Sequence, residues 1–551
     1  EYPIYPELSN SKSESKASQT LTAYTSKSMF PEAEVQDDIT QDLGSNNWAV
    51  SAEKSATGNA FLCNDTHLGL DLPGTWYECH QVINDRVVHG LTVPGAPVVV
   101  SGYTRDLAWG MTNATWDLTD FYALETDGKG NYKLDGEWLP LEPRVAELPV
   151  KGAKTLKITY YDTYFGPTDT IEGEFLATNW VASQFESNEM KALIGLTKAK
   201  SVQEGYESLQ QFGHPPQNFV LADAQGDIGM VTAGYAAIHK APTRGIIMGK
   251  SKEDRVVYQH MGRELFVLEP EKGWNHSANQ AQVANEQTPF LNNSFAPTAR
   301  GRRIGAMMEA RGKIDRAYLK EMQNDVHDGE WPLLKDHIHE TAPYDMMKVL
   351  REWDGNCTEQ SQAATVYNYY KWSLHDTISS LLIGDFDYPP RAEDLFYLIS
   401  RSDTLPGVNS PIYVQEIAAR MWAKVLRDMK EKYVSKEPND WRYGEYHQIH
   451  FRHIARIPAF EFPPFAAKGS PRTVNVSTGL PGTHGAAMRT VIELTPDGPK
   501  ADFVIAGGQV GRPEHEHYTD QIMDWYNGRY FKIEPIKAPQ EKEWQQEITF
   551  K

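Results

Sequence analysis

Cysteine and basic residues are both scarce in this sequence. Three cysteines, Cys63, Cys79 and Cys357, occur among 551 residues, which excludes a disulfide-rich scaffold and a four-cysteine zinc site. A Cys63–Cys79 disulfide and two small buried thiols are both compatible with the sequence. Lys and Arg number 54 against 74 Asp and Glu, for a net charge of −20. This balance excludes the basic surface that nucleic-acid binding requires.

Long apolar segments and several common motifs are also absent. No apolar run approaches the roughly 18 residues that span a bilayer, so we expect no membrane span. The sequence contains no P-loop lysine motif, no His-Glu-x-x-His and no Gly-x-Ser-x-Gly, which removes three frequent chemistries from consideration. A hydrophobic fraction of 40% with 11% aromatic residues still supplies a large core, so a folded protein is expected.

Residues 1–44 differ in composition from the rest of the chain. Residues 9–28 are rich in Ser and Thr, and five acidic residues follow between Glu32 and Asp42. This composition predicts a solvated linker rather than a packed element. From Asn46 onward, short segments separated by Gly and Pro predict strands, beginning with a hairpin between Trp48 and Cys63.

The predicted elements form three blocks, with strands at both ends and helices in the middle. Further strands are predicted at 76–82, 98–100, 107–109, 155–161, 219–222, 229–233, 489–494 and 502–505. Helices are predicted at 190–212 with interruptions at Gly195 and Gly205, and at 300–311, 316–326 and 411–433. In the last helix, apolar residues from Ile417 to Met429 recur on one face, which predicts a core-facing stripe. This order favours an α+β or layered architecture.

Three histidines, His447, His450 and His453, follow one another at intervals of three residues. On a helix this spacing could hold a metal ion, whereas on a strand neighbouring members point to opposite faces. Phe451 and the nearby prolines favour extended or irregular backbone, and hence structural histidines.

One ordered set of motifs carries the strongest functional information. A Gly44-Ser45 pair, between an acidic linker and the first core strand, is a suitable place for self-cleavage that makes Ser45 a new N-terminus. The motifs that follow in chain order are Asn-Asp-Thr-His67, Trp-Gly-Met-Thr-Asn113, Asp117-Leu-Thr119-Asp120, Ser-Ala-Asn279-Gln, Gly-Arg-Arg303-Ile, and Gly507-Gly-Gln-Val-Gly-Arg-Pro with His517-Tyr-Thr-Asp-Gln.

This set resembles the penicillin acylase family of N-terminal nucleophile hydrolases, which includes penicillin, cephalosporin and acyl-homoserine-lactone acylases. The resemblance covers Ser45 to about Ile533, the large β subunit of the family. It implies an α+β fold, a four-layer αββα sandwich in which two antiparallel sheets pack face to face with helices outside. It also implies a linker and small-subunit tail at 1–44, a catalytic domain at 45–551 with a helical insertion around 300–440, and a periplasmic or secreted location.

The resemblance also implies roles for individual residues. Ser45 is the expected nucleophile, with His67 beside it, and Asn113 (backbone N–H) and Asn279 (side-chain amide) are the expected oxyanion donors. Arg303 is expected to have a structural or substrate-orienting role. Leu68 is expected to line the acyl pocket and to leave room for an aliphatic chain.

A terminal serine needs no cofactor for this chemistry. A free α-amino group has a pKa of about 7.7–8.0, which suits a general base at neutral pH. Nucleophile and base then lie on one residue, and cleavage is the activating step because an amide nitrogen cannot act as the base. Two neutral donors are sufficient to stabilise the oxyanion.

Calcium is the one metal that the resemblance implies, through Asp117, the Thr119 carbonyl and Asp120. A further acidic ligand of the family aligns here with Asn292, and another belongs to the small α subunit. We therefore expect weak or no calcium binding by this chain alone, and a structural calcium in an assembled enzyme.

The leading functional hypothesis is an amide-bond acylase that acts on small N-acyl amides through an acyl-enzyme. Its expected partner is the small α subunit from the same precursor. One alternative is a non-catalytic, unprocessed binding protein on the same fold. The other is a metallohydrolase that uses His447, His450 and His453.

Overall fold

The structure is a computed structural model, and it describes residues 44–83, 86–171, 174–186, 188–239, 246–282, 291, 295–383, 392–405, 411–432, 441–479 and 482–533. Of the predicted linker 1–44, only Gly44 is described. Asn292 also lies outside the described residues. The predicted domain boundary therefore stays a prediction.

Strands make up most of the first half and the C-terminal part of the chain. They are β1 Ser45–Val50, β2 Phe61–Gly69, β3 Asp71–Leu72, β4 Tyr77–Ile83, β5 Arg86–Thr92, β6 Ser101–Tyr103, β7 Leu107–Asn113, β8 Thr119–Ala123, β9 Asn131–Leu134, β10 Glu137–Pro140, β11 Glu142–Leu148, β12 Leu156–Thr163, β13 Gly166–Ile171, β14 Glu174–Trp180, β15 Gln217–Asp223, β16 Ile228–Ala233, β17 Tyr235–Ile238, β18 Ile247–Met248, β19 Val257–His260, β20 Phe266–Leu268, β21 Trp274–Ser277, β22 Thr404–Leu405, β23 Ile412–Tyr413, β24 Gln448–His453, β25 Phe462–Ala466, β26 Ser477–Gly479, β27 Gly482–Glu493, β28 Lys500–Ile505 and β29 Phe531–Ile533.

Helices are concentrated between residues 299 and 432. The α-helices are α1 Glu189–Leu196, α2 Val202–Leu209, α3 Ala299–Glu309, α4 Arg316–Gln323, α5 Trp331–Thr341, α6 Tyr344–Leu350, α7 Gln362–Ile383, α8 Ala392–Ile399, α9 Val414–Lys432, α10 Tyr443–Tyr446 and α11 Ile522–Tyr526.

The predicted first hairpin is confirmed and places the chain's candidate nucleophile inside a sheet. β1 pairs antiparallel with β2 and, on its other side, with β21. All six residues of β1 are buried. Trp48 and Val50 pack in a cluster with α3 and α4, whereas Ala49 packs in the core toward the second sheet. Because both faces are covered, β1 can be apolar on both sides.

Two large sheets form the centre of the molecule. A ten-stranded sheet contains the path β21-β1-β2-β27-β24-β25, and a seven-stranded sheet has the order β20-β16-β15-β7-β6-β5-β4. They pack through β1 and β2 against β7 and β15, with Leu62 and Trp109 in the shared core. Helices α1 and α2 cover the seven-stranded sheet, and α3 and α4 cover the ten-stranded sheet. The predicted α+β sandwich is confirmed.

Of two detailed helix predictions, one is wrong and one is confirmed. The break within 190–212 falls between α1 and α2, where the Ser201 side chain caps α2 by accepting from the Glu204 N–H. The predicted interruptions at Gly195 and Gly205 are therefore wrong, since both glycines lie inside helices. The apolar stripe of α9 is confirmed, and its Trp422 stacks on Tyr370 of α7 with ring centroids 4.0 Å apart.

Cys63 and Cys79 are both free thiols, so the disulfide alternative is wrong. Cys63 is buried between the ten-stranded sheet and α3–α4. Within the described part of the chain, no helix is long and apolar enough to cross a membrane.

Candidate active site

The Gly44–Ser45 peptide bond lies at the start of β1, and the Ser45 side chain is buried. The Ser45 hydroxyl donates to the Gly44 carbonyl at 2.7 Å, and the same carbonyl accepts from the His67 backbone N–H at 2.9 Å. The Ser45 backbone N–H donates to Asn279 Oδ1 at 2.5 Å. The predicted nucleophile is thus held against the carbonyl group of the bond whose cleavage was predicted.

Only glycine fits at position 44. A Cβ atom there would lie 2.6 Å from Asn279 Oδ1 and would overlap the Arg300 guanidinium. Both groups hold the Ser45 backbone, so neither can withdraw without loosening the start of β1.

The two predicted oxyanion residues are brought together. Asn279 follows β21, and its Nδ2 donates to the Asn113 carbonyl at the end of β7 at 2.8 Å. Asn279 has φ +67°, a left-handed conformation that asparagine tolerates better than most residues. Its N–H donates to Ser277 Oγ at 3.1 Å. An amide nitrogen carries two hydrogens, and the one not bonded to Asn113 remains as a donor for an oxyanion.

His67 lies in β2 opposite a β-bulge of β27, where the register shifts between Thr66 and His67 and Ala487 is the extra residue. Its ring is buried, with Nε2 3.3 Å from Asp65 Oδ1 and 3.2 Å from Asn46 Nδ2. The ring therefore contacts the neighbours of Ser45 in this uncut chain, and the backbone N–H makes the contact with the Gly44 carbonyl.

The charges around His67 oppose one another. Burial lowers the pKa of the ring below its ordinary value, and the Arg300 and Arg489 guanidinium groups lower it further. The Asp65 carboxylate raises the pKa but does not overcome burial. The ring is consequently neutral at physiological pH.

The arginine that contacts Ser45 is Arg300, which the sequence interpretation missed. Its Nη1 donates to the Ser45 carbonyl at 2.9 Å, and its Nη2 donates to Asn279 Oδ1 at 3.2 Å. Arg303, the predicted residue, instead forms a bidentate pair with Asp325 at 3.0 and 2.6 Å. Both arginines lie on one face of α3, and the packing of its first turn against the sheet selects Arg300. This pair supports the structural alternative predicted for Arg303, and the substrate-orienting alternative stays a prediction.

Leu68 is partly buried against the core between the two sheets. It lies in β2, beside His67 and paired with Gly485 of β27. Its assignment to the acyl pocket stays a prediction.

The predicted calcium turn contains one close contact between a carboxylate and an imidazole. Asp120 Oδ1 lies 2.8 Å from His239 Nε2, whereas Asp120 Oδ2 is buried without a hydrogen-bond partner. Asp117 accepts from the Thr119 N–H at 3.4 Å. The free oxygen of Asp120 suits a cation, and Asp117 is the other carboxylate of the turn. The turn therefore offers fewer ligands than calcium prefers.

The metal hypothesis for His447, His450 and His453 is wrong. His450 and His453 lie in β24, so the strand separates them onto opposite faces. His447 Nε2 pairs with Ser477 Oγ at 2.9 Å, and His450 Nε2 pairs with Glu461 at 3.0 Å. No group of three or more His, Cys, Asp or Glu side chains among the described residues could hold a metal ion.

The sandwich of antiparallel sheets, with a buried serine opening the first strand, defines the N-terminal nucleophile hydrolase class of fold. The chain belongs to the penicillin amidase family, whose sequence profile matches residues 6–539. A thermostable penicillin G acylase from Alcaligenes faecalis has the same fold, with a TM-score of 0.72 and 16% identity over 92% of this chain and 99% of that one.

Three curated relatives are 24–27% identical to this chain in sequence. The acyl-homoserine lactone acylase QuiP of Pseudomonas aeruginosa is 24% identical, covering 89% of this chain and 67% of the relative. Penicillin acylase 2 proenzyme of Pseudomonas sp. strain SE83 is 24% identical over 88% and 66%. The acyl-homoserine lactone acylase PvdQ of Pseudomonas syringae is 27% identical over 87% and 67%. The chain spans about two thirds of the length of these relatives.

Proposed function

We propose that this chain is the large part of an amide-bond acylase, and that cleavage of the Gly44–Ser45 bond activates it. The observation that carries the proposal is the placement of the Ser45 hydroxyl 2.7 Å from the Gly44 carbonyl oxygen, with the His67 N–H on the same oxygen. Family membership and the names of the relatives support an amide substrate.

Self-cleavage follows from this arrangement by an acyl shift. Ser45 Oγ attacks the Gly44 carbonyl carbon, the C–N bond breaks as a C–O ester bond forms, and the hydroxyl proton passes to the freed amine. The His67 N–H stabilises the charge that develops on the carbonyl oxygen. Water then hydrolyses the ester, which leaves a carboxylate on Gly44 and restores the Ser45 hydroxyl.

Turnover repeats the same chemistry on a substrate. The Ser45 amine takes the hydroxyl proton, Oγ attacks the amide carbonyl, and the proton passes to the leaving amine. Asn113 and Asn279 supply donors for the oxyanion, and one such donor contributes about 2.7–4 kcal/mol. Water hydrolyses the acyl-enzyme and releases the acid.

The substrate class is a small N-acyl amide, with an aliphatic acyl group against Leu68. The remaining length of the relatives supports a small subunit, cut from the same precursor, as the partner. A periplasmic or secreted location is part of the same proposal.

Calcium, in this proposal, stabilises the assembled enzyme and takes no part in catalysis. Chelation should lower the melting temperature or the assembly of the enzyme more than the turnover of molecules that remain folded. Immediate loss of turnover at an unchanged melting temperature, reversed by added calcium, would contradict this assignment.

Intact-mass analysis of protein expressed from the full precursor, followed by assay on a panel of acyl amides, tests the proposed function. We expect a large subunit that begins at Ser45 and hydrolyses at least one member of the panel. An uncut chain that binds acyl amides without hydrolysing them would establish the alternative, a non-catalytic binding protein.

A further inference from the structure

Asp65 is a buried carboxylate that the chemistry above does not use. It lies in β2, two residues before His67, and is fully shielded from solvent. Neither oxygen makes a hydrogen bond among the described residues, and Oδ1 lies 3.3 Å from His67 Nε2. An ionised carboxylate without donors is costly to bury, so its position beside the candidate nucleophile suggests a role there.

Asp65 and Asn46 compete for the same nitrogen of His67. Asn46 Nδ2 lies 3.2 Å from His67 Nε2. The orientation of the Asn46 amide is fixed, since Oδ1 accepts from Arg300 at 2.7 Å and Nδ2 donates to the Val474 carbonyl at 2.9 Å. A protonated Nε2 satisfies Asp65 and opposes Asn46, whereas an unprotonated Nε2 does the reverse.

Charge favours Asp65 in this competition. A hydrogen bond to a carboxylate is about twice as strong as one between neutral groups. Asn46 already donates to Val474, so it loses less than a carboxylate left without any donor. Arg300 on α3 and Arg489 on β27 face the ring and disfavour a second proton. The neutral ring therefore carries its proton on Nε2.

We propose that Asp65 is a positioning residue that holds His67 in the tautomer protonated on Nε2; the catalytic part of this proposal rests on the function proposed above. His67 Nδ1 is then a buried acceptor without a hydrogen-bond partner among the described residues. In the cleaved enzyme it can accept a proton from the Ser45 hydroxyl or amine. The charge of Asp65 also offsets Arg300 and Arg489, so it raises the pKa of a Ser45 amine above the value that the two guanidinium groups alone would give.

The first test requires no turnover. A Ser45→Ala precursor is labelled with 15N in the histidine rings, and the His67 signals are assigned by their loss in His67→Gln. We expect a protonated Nε2 and an unprotonated Nδ1 near neutral pH, and movement of the proton to Nδ1 in Asp65→Asn. A protonated Nδ1 in the Ser45→Ala protein itself would overturn the proposal, whether or not Asp65→Asn folds.

The second test uses cleaved enzyme and the pH dependence of kcat/KM. Asp65→Asn removes a negative charge, which lowers the pKa of the base and moves the acidic limb about one unit toward lower pH. The matched control is Asp502→Asn, which removes a buried carboxylate of β28 that pairs with Arg316 and Lys320 and should leave the limb in place.

The proposal would be overturned if Asp65→Asn lowered kcat/KM but left the acidic limb of its pH profile in place, because Asp65 would then have a structural role only. If wild-type enzyme hydrolyses no acyl amide, the proposed function fails. The tautomer measured in the Ser45→Ala precursor still decides the assignment of Asp65 in that case.

Discussion

The Ser45 site and a second buried cluster, formed by Asp328, Glu330, Lys371 and Arg472, differ in how their polar groups are satisfied. Lys371 contacts Asp328 at 2.9 Å and Glu330 at 3.3 Å, and Arg472 contacts Glu330 at 2.7 Å. Two positive and two negative charges therefore balance. Although burial lowers the pKa of Lys371, the two carboxylates raise it above its ordinary value, so the ammonium group remains charged.

The Ser45 site keeps polar groups that no described residue satisfies. His67 Nδ1 lacks a hydrogen-bond partner, the Asp65 carboxylate has the neutral His67 ring at 3.3 Å instead of a cation in contact, and Asn279 has a left-handed backbone. Burial and charge are common to both clusters, so neither property identifies a reactive site. Unsatisfied groups beside a nucleophile do, because they are free to bond a group that appears during the reaction.

The largest contrast between the two clusters is expected from Ser45→Ala. In the precursor this change should abolish cleavage and turnover, because no hydroxyl remains to attack the Gly44 carbonyl, while the melting temperature stays near that of uncut protein. Intact mass and calorimetry measure both. A Ser45→Ala precursor that is still cut between residues 44 and 45 would remove Ser45 from the mechanism.

Lys371→Met should have the opposite signature, a loss of stability. It leaves two buried carboxylates opposite one arginine, and breaking a buried pair in this way costs about 3–5 kcal/mol. Denaturant unfolding of the uncut Ser45→Ala chain measures this cost. Lys430→Met, which changes an exposed lysine of α9, is the control and should alter stability by less than about 0.5 kcal/mol. Equal losses of stability in Lys371→Met and Lys430→Met would contradict a stabilising role for the buried cluster.

Asn279→Ala, introduced into material that is already cleaved or assembled from separate chains, should lower kcat by about 10²–10³-fold. The lost donor acts mainly on the tetrahedral state, so folding should survive. Asn275→Ala is a matched control, because Asn275 is a buried asparagine in β21 whose amide makes no hydrogen bond among the described residues. Normal turnover in folded Asn279→Ala would give Asn279 a structural role only.

The smallest expected effect concerns His447 and the pH dependence of stability. Burial lowers its pKa to about 4, below the roughly 6.5 of an unfolded histidine. The unfolded state therefore binds the proton more readily, and stability falls as pH drops from about 6.5 toward 4. His447→Gln should reduce the loss between pH 7 and 5.5 by about 1 kcal/mol, as measured by denaturant unfolding.

The exposed His517 supplies the control for that experiment. His517→Gln should leave the acid dependence almost unchanged, since its ring is exposed and its contact with Asp520 lies at the surface, where such pairs contribute little to stability. If His447→Gln shows the same acid dependence as wild type, burial of His447 does not govern the acid response.

The sequence predicted the parts of the site that lie next to one another along short motifs. Ser45 and the start of β1 followed from the composition change at the linker, and the meeting of Asn113 with Asn279 was implied by family motifs. Arg300 was missed because Arg300 and Arg303 share one face of α3, and only the contact of that helix with the sheet decides which of them reaches Ser45.

Asp65 was missed for a different physical reason. Its contact with His67 follows from their spacing of two residues on β2, but no sequence pattern specified that this face of the strand is buried. The break between α1 and α2 was misplaced because Ser201 begins a second helix as its N-cap, whereas both glycines lie inside helices. Local sequence patterns thus predicted elements and motifs, whereas the contacts between side chains depend on tertiary packing.

Trapping the acyl-enzyme tests the central claim most directly. Cleaved enzyme is mixed with a hydrolysed acyl amide, quenched in acid during turnover, digested and mapped by mass spectrometry. The account predicts that the peptide beginning at Ser45 gains the mass of the acyl group, and that the gain is carried by the serine hydroxyl. Turnover with an unmodified Ser45 peptide and the acyl group on another residue would contradict it.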